Sequence, residues 1–201
     1  IKKRGWNMMT LDKVYDAQRV LRDNIRKTDL IHAPSLSDKA DIYLKAENLQ
    51  TTGSFKVRGA YYKIARLNDE QKKRGIIACS AGNHAQGVAL SAQKNNIKSA
   101  IFIPSTAPIS KIEATRTYGA QIMLVDGVYD DAYKAAIKYQ QETQGEFIHP
   151  FDDIDIIAGQ GTIALELMEQ LSDMEAIIVP IGGGGLISGV AYTVKMINPN
   201  C

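Results

Sequence analysis

The sequence has little of several features that mark common classes of protein. Its 201 residues include two cysteines, Cys79 and Cys201, which are too few for a disulfide framework and lack the CxxC spacing of metal and redox motifs. No run approaches the roughly 18 apolar residues that cross a bilayer, and the first ten residues contain no secretion signal. We therefore expect inert thiols and a cytoplasmic protein.

The sequence also lacks a large excess of either positive or negative charge. The chain has 24 basic and 22 acidic residues, a net charge of +2, and its one basic cluster, Lys2-Lys3-Arg4, is short and terminal. This balance argues against an electrostatic footprint on nucleic acid. The three histidines share no metal-ligand spacing with a cysteine, and the acidic group Asp152, Asp153 and Asp155 indicates the solvated start of a helix. We expect no metal, no nucleic-acid partner and no membrane partner.

What the sequence does contain is a regular alternation of apolar strands with segments of helical period. After an opening helix, we predict strands at 42–44, 76–79, 100–103, 121–125, 146–149 and 176–181. We predict helices at about 56–67, 84–95, 109–118, 129–143, 158–171 and 186–197. This alternation is typical of an α/β fold in which helices flank a parallel sheet on both faces. No linker rich in Pro, Gly or Ser divides the chain.

Four consecutive glycines, Gly182 to Gly185, follow the last predicted strand and precede a helix. Glycines at that place let backbone N–H groups converge on one point at a helix N-terminus, which is a favourable site for phosphate. A flexible turn is the alternative. The GxGxxG spacing fails at every register and no Lys-Ser or Lys-Thr follows, which disfavours dinucleotides and ATP.

A second loop of this kind, Ser80 to His84, joins a predicted strand to a predicted helix. Gly82 relieves the turn, and Ser80 or Asn83 is able to cap the helix. Its N–H groups are suited to a small anion such as a substrate carboxylate, although a simple helix cap explains the loop as well.

Lys56 stands at the start of a predicted helix, in the stretch TTGSFKVRGA. Most lysines face solvent. Here the helix N-terminus and Arg58 disfavour an ammonium ion and Phe55 offers an apolar flank, so the pattern indicates a neutral, nucleophilic amine. An amine together with a phosphate site suggests a cofactor that carries an aldehyde and a phosphate, namely pyridoxal phosphate.

Four stretches together resemble the threonine dehydratase (threonine ammonia-lyase) family, a member of the fold-type II, tryptophan-synthase-β-like pyridoxal phosphate enzymes. They read KAENLQTTGSFKVRGA from Lys45, SAGNHAQG from Ser80, AGQGT from Ala158 and GGGGL from Gly182. The resemblance is collinear from about residue 12 to the end of the chain. Its specificity comes from the order and spacing of the motifs.

The resemblance implies a role for each matching residue. Lys56 forms the internal Schiff base and carries the α-proton, Phe55 flanks the cofactor ring, and Asn83 hydrogen-bonds the ring hydroxyl. The phosphate is held by Gly182, Gly183, Gly184, Gly185 and Leu186. The substrate carboxylate is held by the backbone of Ser80, Ala81, Gly82, Asn83 and His84. The implied reaction converts L-threonine to 2-oxobutanoate and ammonia, with L-serine giving pyruvate.

The resemblance also implies two facing domains built on two open, mostly parallel sheets. The smaller domain covers residues 48–148, and residues 1–47 and 149–201 belong to the larger one. Family chains are longer than this sequence, so we expect it to be a piece of a longer chain. As a piece it would lack the polar partner of the pyridine nitrogen and bind cofactor poorly or be inactive. The family further implies a homodimer or homotetramer.

Alternative functions stay open at this point. Serine racemases of the family carry a serine where this chain has Ala81, and alanine cannot act as a second proton carrier, which favours elimination. A non-catalytic phosphate binder would have no use for a neutral amine at Lys56. The sequence does not separate biosynthetic from degradative threonine dehydratases, whose effectors differ, and one methyl group discriminates threonine from serine only weakly.

Overall fold

The computed structural model describes residues 8–201, so the basic cluster Lys2-Lys3-Arg4 lies outside the described residues. Within this range the chain forms eight α-helices and six β-strands. The helices are α1 (Leu11–Leu21), α2 (Lys56–Ala65), α3 (Asp69–Arg74), α4 (Asn83–Lys94), α5 (Ile109–Arg116), α6 (Tyr129–Thr143), α7 (Ile154–Gln170) and α8 (Gly185–Ile197). The strands are β1 (Leu30–His32), β2 (Tyr43–Lys45), β3 (Ile76–Cys79), β4 (Ser99–Pro104), β5 (Gln121–Val125) and β6 (Glu146–Phe147).

The main sheet has four strands in the order β5-β4-β3-β6, and every pair in it is parallel. Strands β3 and β4 are buried along their whole length because helices cover both faces. Residues such as Val88 and Ala89 of α4 pack on one face, and Ala132 and Ala136 of α6 pack on the other. The predicted α/β class with a helix-flanked parallel sheet is confirmed.

The strand order reverses direction between β3 and β6. The chain moves outward from β3 to β4 and β5 and then returns to place β6 on the other side of β3. Loops that leave the carboxyl ends of two such strands diverge and open a crevice, which is where ligands bind in sheets of this type. Here those loops are residues 80–82 and 148–153.

The predicted strand at 176–181 does not form in the described part of the chain. Residues 175–181 lie without a ladder, and Ile178 is 96% exposed and Ile181 is 73% exposed. The physical reason is that no strand among residues 8–201 lies beside this segment to pair with it. The second sheet consists of β1 and β2, which pair antiparallel.

Helix α7 runs through the centre of the helical layer and meets its neighbours at glycines. It begins at Ile154, four residues before the predicted start, because the Asp153 side chain caps it by accepting hydrogen bonds from Asp155 N and Ile156 N. A Cβ added to Gly159 would lie 2.5 Å from the Cα of Gly59 in α2. The backbones of α2 and α7 therefore touch, which fixes the helix that begins with Lys56.

Across residues 8–201, no helix combines the length and the apolar character needed to cross a membrane. The same residues contain no group of three or more His, Cys, Asp or Glu side chains placed to hold a metal ion. The cytoplasmic location stays a prediction.

Candidate active site

The amine of Lys56 lies at the crevice between β3 and β6. Its Nζ donates a hydrogen bond to the carbonyl oxygen of Pro150 at 2.8 Å and lies 5.5 Å from the centre of the Phe55 ring. Burial lowers the pKa of Lys56, because a partly desolvated ammonium ion is disfavoured. The predicted contribution of Arg58 to this shift is wrong, since the Arg58 guanidinium is bound by Glu47 and Glu166 instead.

A cavity of 430 Å³ opens in front of this amine. Its wall is formed by Lys56, Cys79, Ser80, Asn83, His84, Tyr129, Pro150, Phe151 and Gly183. The cavity thus brings together the predicted lysine, three residues of the asparagine loop and one residue of the glycine loop. Of the described residues predicted for the site, the wall does not include Phe55, Ala81, Gly82, Gly182, Gly184, Gly185 or Leu186. All of them lie within three residues of one that lines it.

Three helices begin near this cavity, and in each of them the side chain of the N-cap residue accepts no hydrogen bond, although Lys56 N of α2 donates to Ser54 Oγ at 3.4 Å. The N-cap residues are Phe55 for α2, Gly82 for α4 and Gly184 for α8. The predicted capping of α4 by Ser80 or Asn83 is therefore wrong, because Asn83 is the first helical residue and Ser80 Oγ accepts from Gly82 N at 3.2 Å. Uncapped helix N-termini leave N–H donors and positive partial charge available to anions.

The glycines at 182–185 are required for different reasons. Gly184 has a φ of +89°, and a side chain at Gly183 or Gly185 would collide with Phe151. Around a Cβ added to Gly182, by contrast, no described atom lies within 4 Å. Packing and backbone conformation explain three of the four glycines, whereas Gly182 faces open space where an anion can approach the backbone.

His84 ties the asparagine loop to the segment that holds the lysine amine. Its Nε2 lies 2.9 Å from the carbonyl oxygen of Ile148, two residues before Pro150. A carbonyl accepts and does not donate, so Nε2 carries the proton and Nδ1 is unprotonated. Complete burial, opposed by that hydrogen bond, lowers the pKa of His84 to about 4.

We expect the stability of the full chain to fall as the pH drops from 6.5 to 4. In this window the unfolded chain protonates His84, whose ordinary pKa is 6.5, while the folded chain keeps it neutral down to about 4. Protons then favour the unfolded state, by on the order of 3 kcal/mol over the whole window. Unfolding by guanidinium at several pH values measures this, and His84→Asn should remove the effect. Equal pH dependence in His84→Asn and wild type would contradict it, with exposed His32→Asn as the control.

Four residues of the cavity wall were not predicted as site residues. Pro150 and Phe151 follow β6, Cys79 ends β3, and Tyr129 begins the helix after β5. The signal that could have found them is their position at the carboxyl ends of parallel strands, where the loops of such sheets form binding sites. Cys79 itself agrees with the predicted inert thiol, because burial raises its pKa to about 11.

The site combines a partly buried lysine amine at the switch point of a parallel α/β sheet with helix N-termini and a glycine loop. This combination defines a class of protein that holds a phosphate-bearing aldehyde. Residues 21–201 match the family model described as pyridoxal-phosphate dependent enzyme, and the chain belongs to this family. Its fold is fold-type II, the tryptophan-synthase-β-like fold of these enzymes.

Named relatives and solved structures share this fold. The chain is 54% identical over 194 residues to an L-threonine ammonia-lyase of Thermotoga maritima, covering 96% of this chain and 48% of the relative. It superposes on maize serine racemase with a TM-score of 0.92 at 40% identity, covering 94% and 58% of the two chains. It superposes on the processed form of threonine deaminase isoform 2 from Solanum lycopersicum with a TM-score of 0.88 at 40% identity, covering 94% of this chain and 54% of that chain. The chain thus spans about half the length of such relatives.

The described residues fit pyridoxal phosphate. An amine with a lowered pKa meets the requirement of its aldehyde, and the uncapped start of α8 with open space at Gly182 meets that of its phosphate. The cavity of 430 Å³ lies within the usual size range of small-molecule sites. Cofactor dependence of the family and the geometry of this chain therefore agree.

Proposed function

We propose that the full chain converts L-threonine to 2-oxobutanoate and ammonia, with L-serine giving pyruvate as a side activity. The observation behind the proposal is the partly buried amine of Lys56, which donates to the Pro150 carbonyl at 2.8 Å and faces the cavity. The 54% identity to a relative named L-threonine ammonia-lyase supports the choice of substrate.

When bound, pyridoxal phosphate supplies an electron sink that stabilises negative charge at the α-carbon of the amino acid. We propose that the N–H groups of Gly182, Gly183, Gly184, Gly185 and Leu186 hold its phosphate, that Asn83 bonds its ring hydroxyl, and that Phe55 flanks the ring. Lys56 is the residue to which it attaches.

The reaction requires a base that removes the α-proton of the amino acid and a group of donors that holds its carboxylate in place. We propose that Lys56 Nζ removes the α-proton of the substrate. Burial lowers the pKa of Lys56 and so favours the neutral amine, which is the form that acts as a base. We assign the carboxylate to the backbone N–H groups of Ala81, Asn83 and His84 at the uncapped start of α4. The other two N–H groups of the predicted set are engaged, since Ser80 N donates to Phe102 O at 3.1 Å and Gly82 N donates to Ser80 Oγ at 3.2 Å. Loss of the β-hydroxyl as water and hydrolysis of the released enamine complete the conversion.

Serine racemisation is the second candidate, favoured by the TM-score of 0.92 to maize serine racemase. It requires a second proton carrier on the face opposite Lys56. The methyl group of Ala81 packs against the hydrophobic core and offers no proton. Among the other cavity residues, Ser80 Oγ accepts a hydrogen bond from Gly82 N, which makes it a weaker base, and burial raises the pKa of both Cys79 and Tyr129. Elimination is therefore the better supported reaction.

Three further features of the whole protein are part of the proposal. Residues 48–148 form the smaller domain, and residues 1–47 and 149–201 belong to the larger one. The protein acts as a homodimer or homotetramer. Its substrate is a free amino acid, in either threonine degradation or isoleucine biosynthesis.

A substrate panel tests the proposed reaction. The full chain is supplied with pyridoxal phosphate and, separately, with L-threonine, L-serine or D-serine, and oxoacid release and serine chirality are measured. The proposal expects 2-oxobutanoate from L-threonine and pyruvate from L-serine. Conversion of L-serine to D-serine without oxoacid would favour the racemase, and cofactor binding without any product would favour a non-catalytic binder.

Gly182→Ala should weaken cofactor binding without destabilising the fold. Its Cβ meets no described atom within 4 Å, so the free energy of unfolding without cofactor should change by less than about 0.5 kcal/mol. The added methyl narrows the approach to the N–H groups, and we expect the Kd for pyridoxal phosphate to rise at least about 10-fold, or 1.4 kcal/mol. Titration by absorbance measures this. Lys138→Ala, at an exposed position of α6 outside the cavity wall, is the control, and an unchanged Kd in Gly182→Ala would contradict the assignment.

A further inference from the structure

Arg58 is fully buried and bound by two carboxylates from different parts of the chain. Its Nε and Nη2 donate to Glu47 at 2.8 and 2.7 Å, and its Nη1 and Nη2 donate to Glu166 at 2.7 and 2.9 Å. Lys45 Nζ closes the group by donating to Glu166 at 2.6 Å, and Thr28 Oγ1 donates to Glu47 at 2.6 Å. The Arg58 guanidinium is thus held from two directions, by the 3-10 turn Glu47–Leu49 and by α7.

Stability alone is a poor explanation for this group. Buried charges lose hydration, and apolar residues of similar volume often stabilise a fold as well or better. Burial opposes the charge, but the hydrogen bonds of Glu47 and Glu166 raise the pKa of Arg58, so it stays ionised. A fully satisfied ionic group does, however, fix one geometry, because each carboxylate accepts from the planar guanidinium in a defined direction.

The geometry that it fixes is that of the lysine helix. Lys56 and Arg58 are two residues apart on α2 and therefore point about 200° apart around its axis. Lys56 faces the cavity while Arg58 faces the carboxylates on the other side. The contact of Gly59 with Gly159 lets the two helix backbones touch, and Gly59 N donates to Gln160 Oε1 at 3.3 Å. This contact sets the distance between α2 and α7. The rotation of α2 about its axis is restrained by Tyr62, which donates to Asp16 at 2.8 Å, by Lys63, which pairs with Asp153 at 2.9 Å, and, nearest to Lys56, by Arg58.

A small rotation of α2 matters because the lysine side chain is long and places Nζ far from the helix axis. With a Cα radius of about 2.3 Å and an extended side chain, Nζ lies about 8 Å from the helix axis, so a rotation of about 10° moves it by about 1.4 Å. A displacement of about 1 Å at a reacting group costs on the order of 10²-fold in rate. Small rotations of α2 are therefore sufficient to misplace the amine.

We propose that Arg58 is a positioning residue: bound between Glu47 and Glu166, it fixes the rotation of α2 and so places Lys56 Nζ in the cavity. The inference rests on the proposed role of Lys56 and deepens it. Arg58 acts on Lys56 through the helix and is not part of the cavity wall. It also crosses the proposed domain boundary, since Glu47 and Glu166 belong to the larger domain and Arg58 to the smaller.

The test replaces Arg58 with lysine, which keeps the charge and loses the two-carboxylate geometry. The first readout is the rate at which pyridoxal phosphate attaches to Lys56 of the cofactor-free full chain, trapped by borohydride and quantified by peptide mapping. The second is kcat and KM for L-threonine. We expect both the attachment rate and kcat to fall at least about 10-fold, with KM changed less than about 3-fold.

Two matched variants separate positioning from general loosening. Ile64→Val shortens a fully buried side chain on the same helix and should leave both rates within about 2-fold of wild type, and labelling of exposed Lys138 is the internal control. Glu47→Gln keeps the shape of the side chain but removes the negative charge of one of the two carboxylates that bind Arg58. It should lower both rates by a factor between those of Ile64→Val and Arg58→Lys. If Arg58→Lys does not fold, Glu47→Gln decides by the same criterion.

The outcomes either support or overturn the inference. A folded Arg58→Lys chain with wild-type attachment rate and kcat overturns it, as does an equal loss in Ile64→Val. A wild-type chain that releases no oxoacid from any amino acid overturns the proposed function instead, while the attachment rate at Lys56 still tests Arg58.

Discussion

Replacing Lys56 with alanine should lower 2-oxobutanoate production by the full chain about 10³-fold or more. A positioned acid–base group contributes about 10² to 10⁴ in rate, and here the same amine also anchors the cofactor. Burial lowers the pKa of this lysine, and its Nζ lies at the edge of a cavity whose other walls offer no second amine among the described residues. Steady-state assays with saturating cofactor measure the loss.

Two controls interpret that result. Lys138→Ala removes an exposed lysine of α6 and should leave kcat unchanged. A small primary amine added to Lys56→Ala should restore part of the rate, because it supplies the missing base. Retention of more than about a tenth of wild-type activity in Lys56→Ala would show that another group takes the α-proton, and the assignment would then be wrong.

Replacing Gly189 with alanine should destabilise the full chain by about 3 kcal/mol or more. Helix α8 lies backbone to backbone on α7 at this point, and the new Cβ would collide with the carbonyl oxygen of Ile157 and lie 2.7 Å from Gly161 N. Neither atom can move without shifting a helix, and overpacking against backbone is among the costlier core changes. Thr193 Oγ1 also donates to Gly189 O at 2.8 Å, so the local backbone is already engaged.

Unfolding by guanidinium, followed by circular dichroism, measures this loss. Ser188→Ala, one residue earlier on the exposed side of α8, should change the free energy of unfolding by less than about 0.5 kcal/mol. Because α8 begins at the glycine loop, Gly189→Ala should also reduce cofactor affinity. Wild-type stability in Gly189→Ala would mean that α7 and α8 are not in direct backbone contact.

Local pattern was sufficient to predict most of the sheet. The bounds of β3 and β5 agree with the predicted strands, because apolar, β-branched runs flanked by turn residues are buried on both faces of a parallel sheet. Helix α6 also agrees at both ends. The run at 176–181 has the same composition but forms no strand among the described residues, because a strand requires a partner and local sequence does not supply one.

The site was predictable where chemistry is local and not where it depends on topology. Lys56, Asn83 and the glycine loop stand out in the sequence because each begins a helix after a loop. Pro150 and Phe151 enter the cavity only because β6 returns beside β3, a pairing between segments about 70 residues apart. For the same reason the ion pair of Arg58 with Glu166 was not predicted, since the two residues lie 108 positions apart along the chain.

We propose that pyridoxal phosphate attaches to the amine of Lys56, which is partly buried and has a pKa lowered by that burial. The most direct test is to incubate the full chain with the cofactor, reduce it with borohydride at several pH values, and map the labelled lysine by mass spectrometry. We expect one dominant label at Lys56, formed with an apparent pKa below the ordinary value of 10.5 because the amine is partly buried. Label spread over exposed lysines, with Lys56 unmodified, would contradict it.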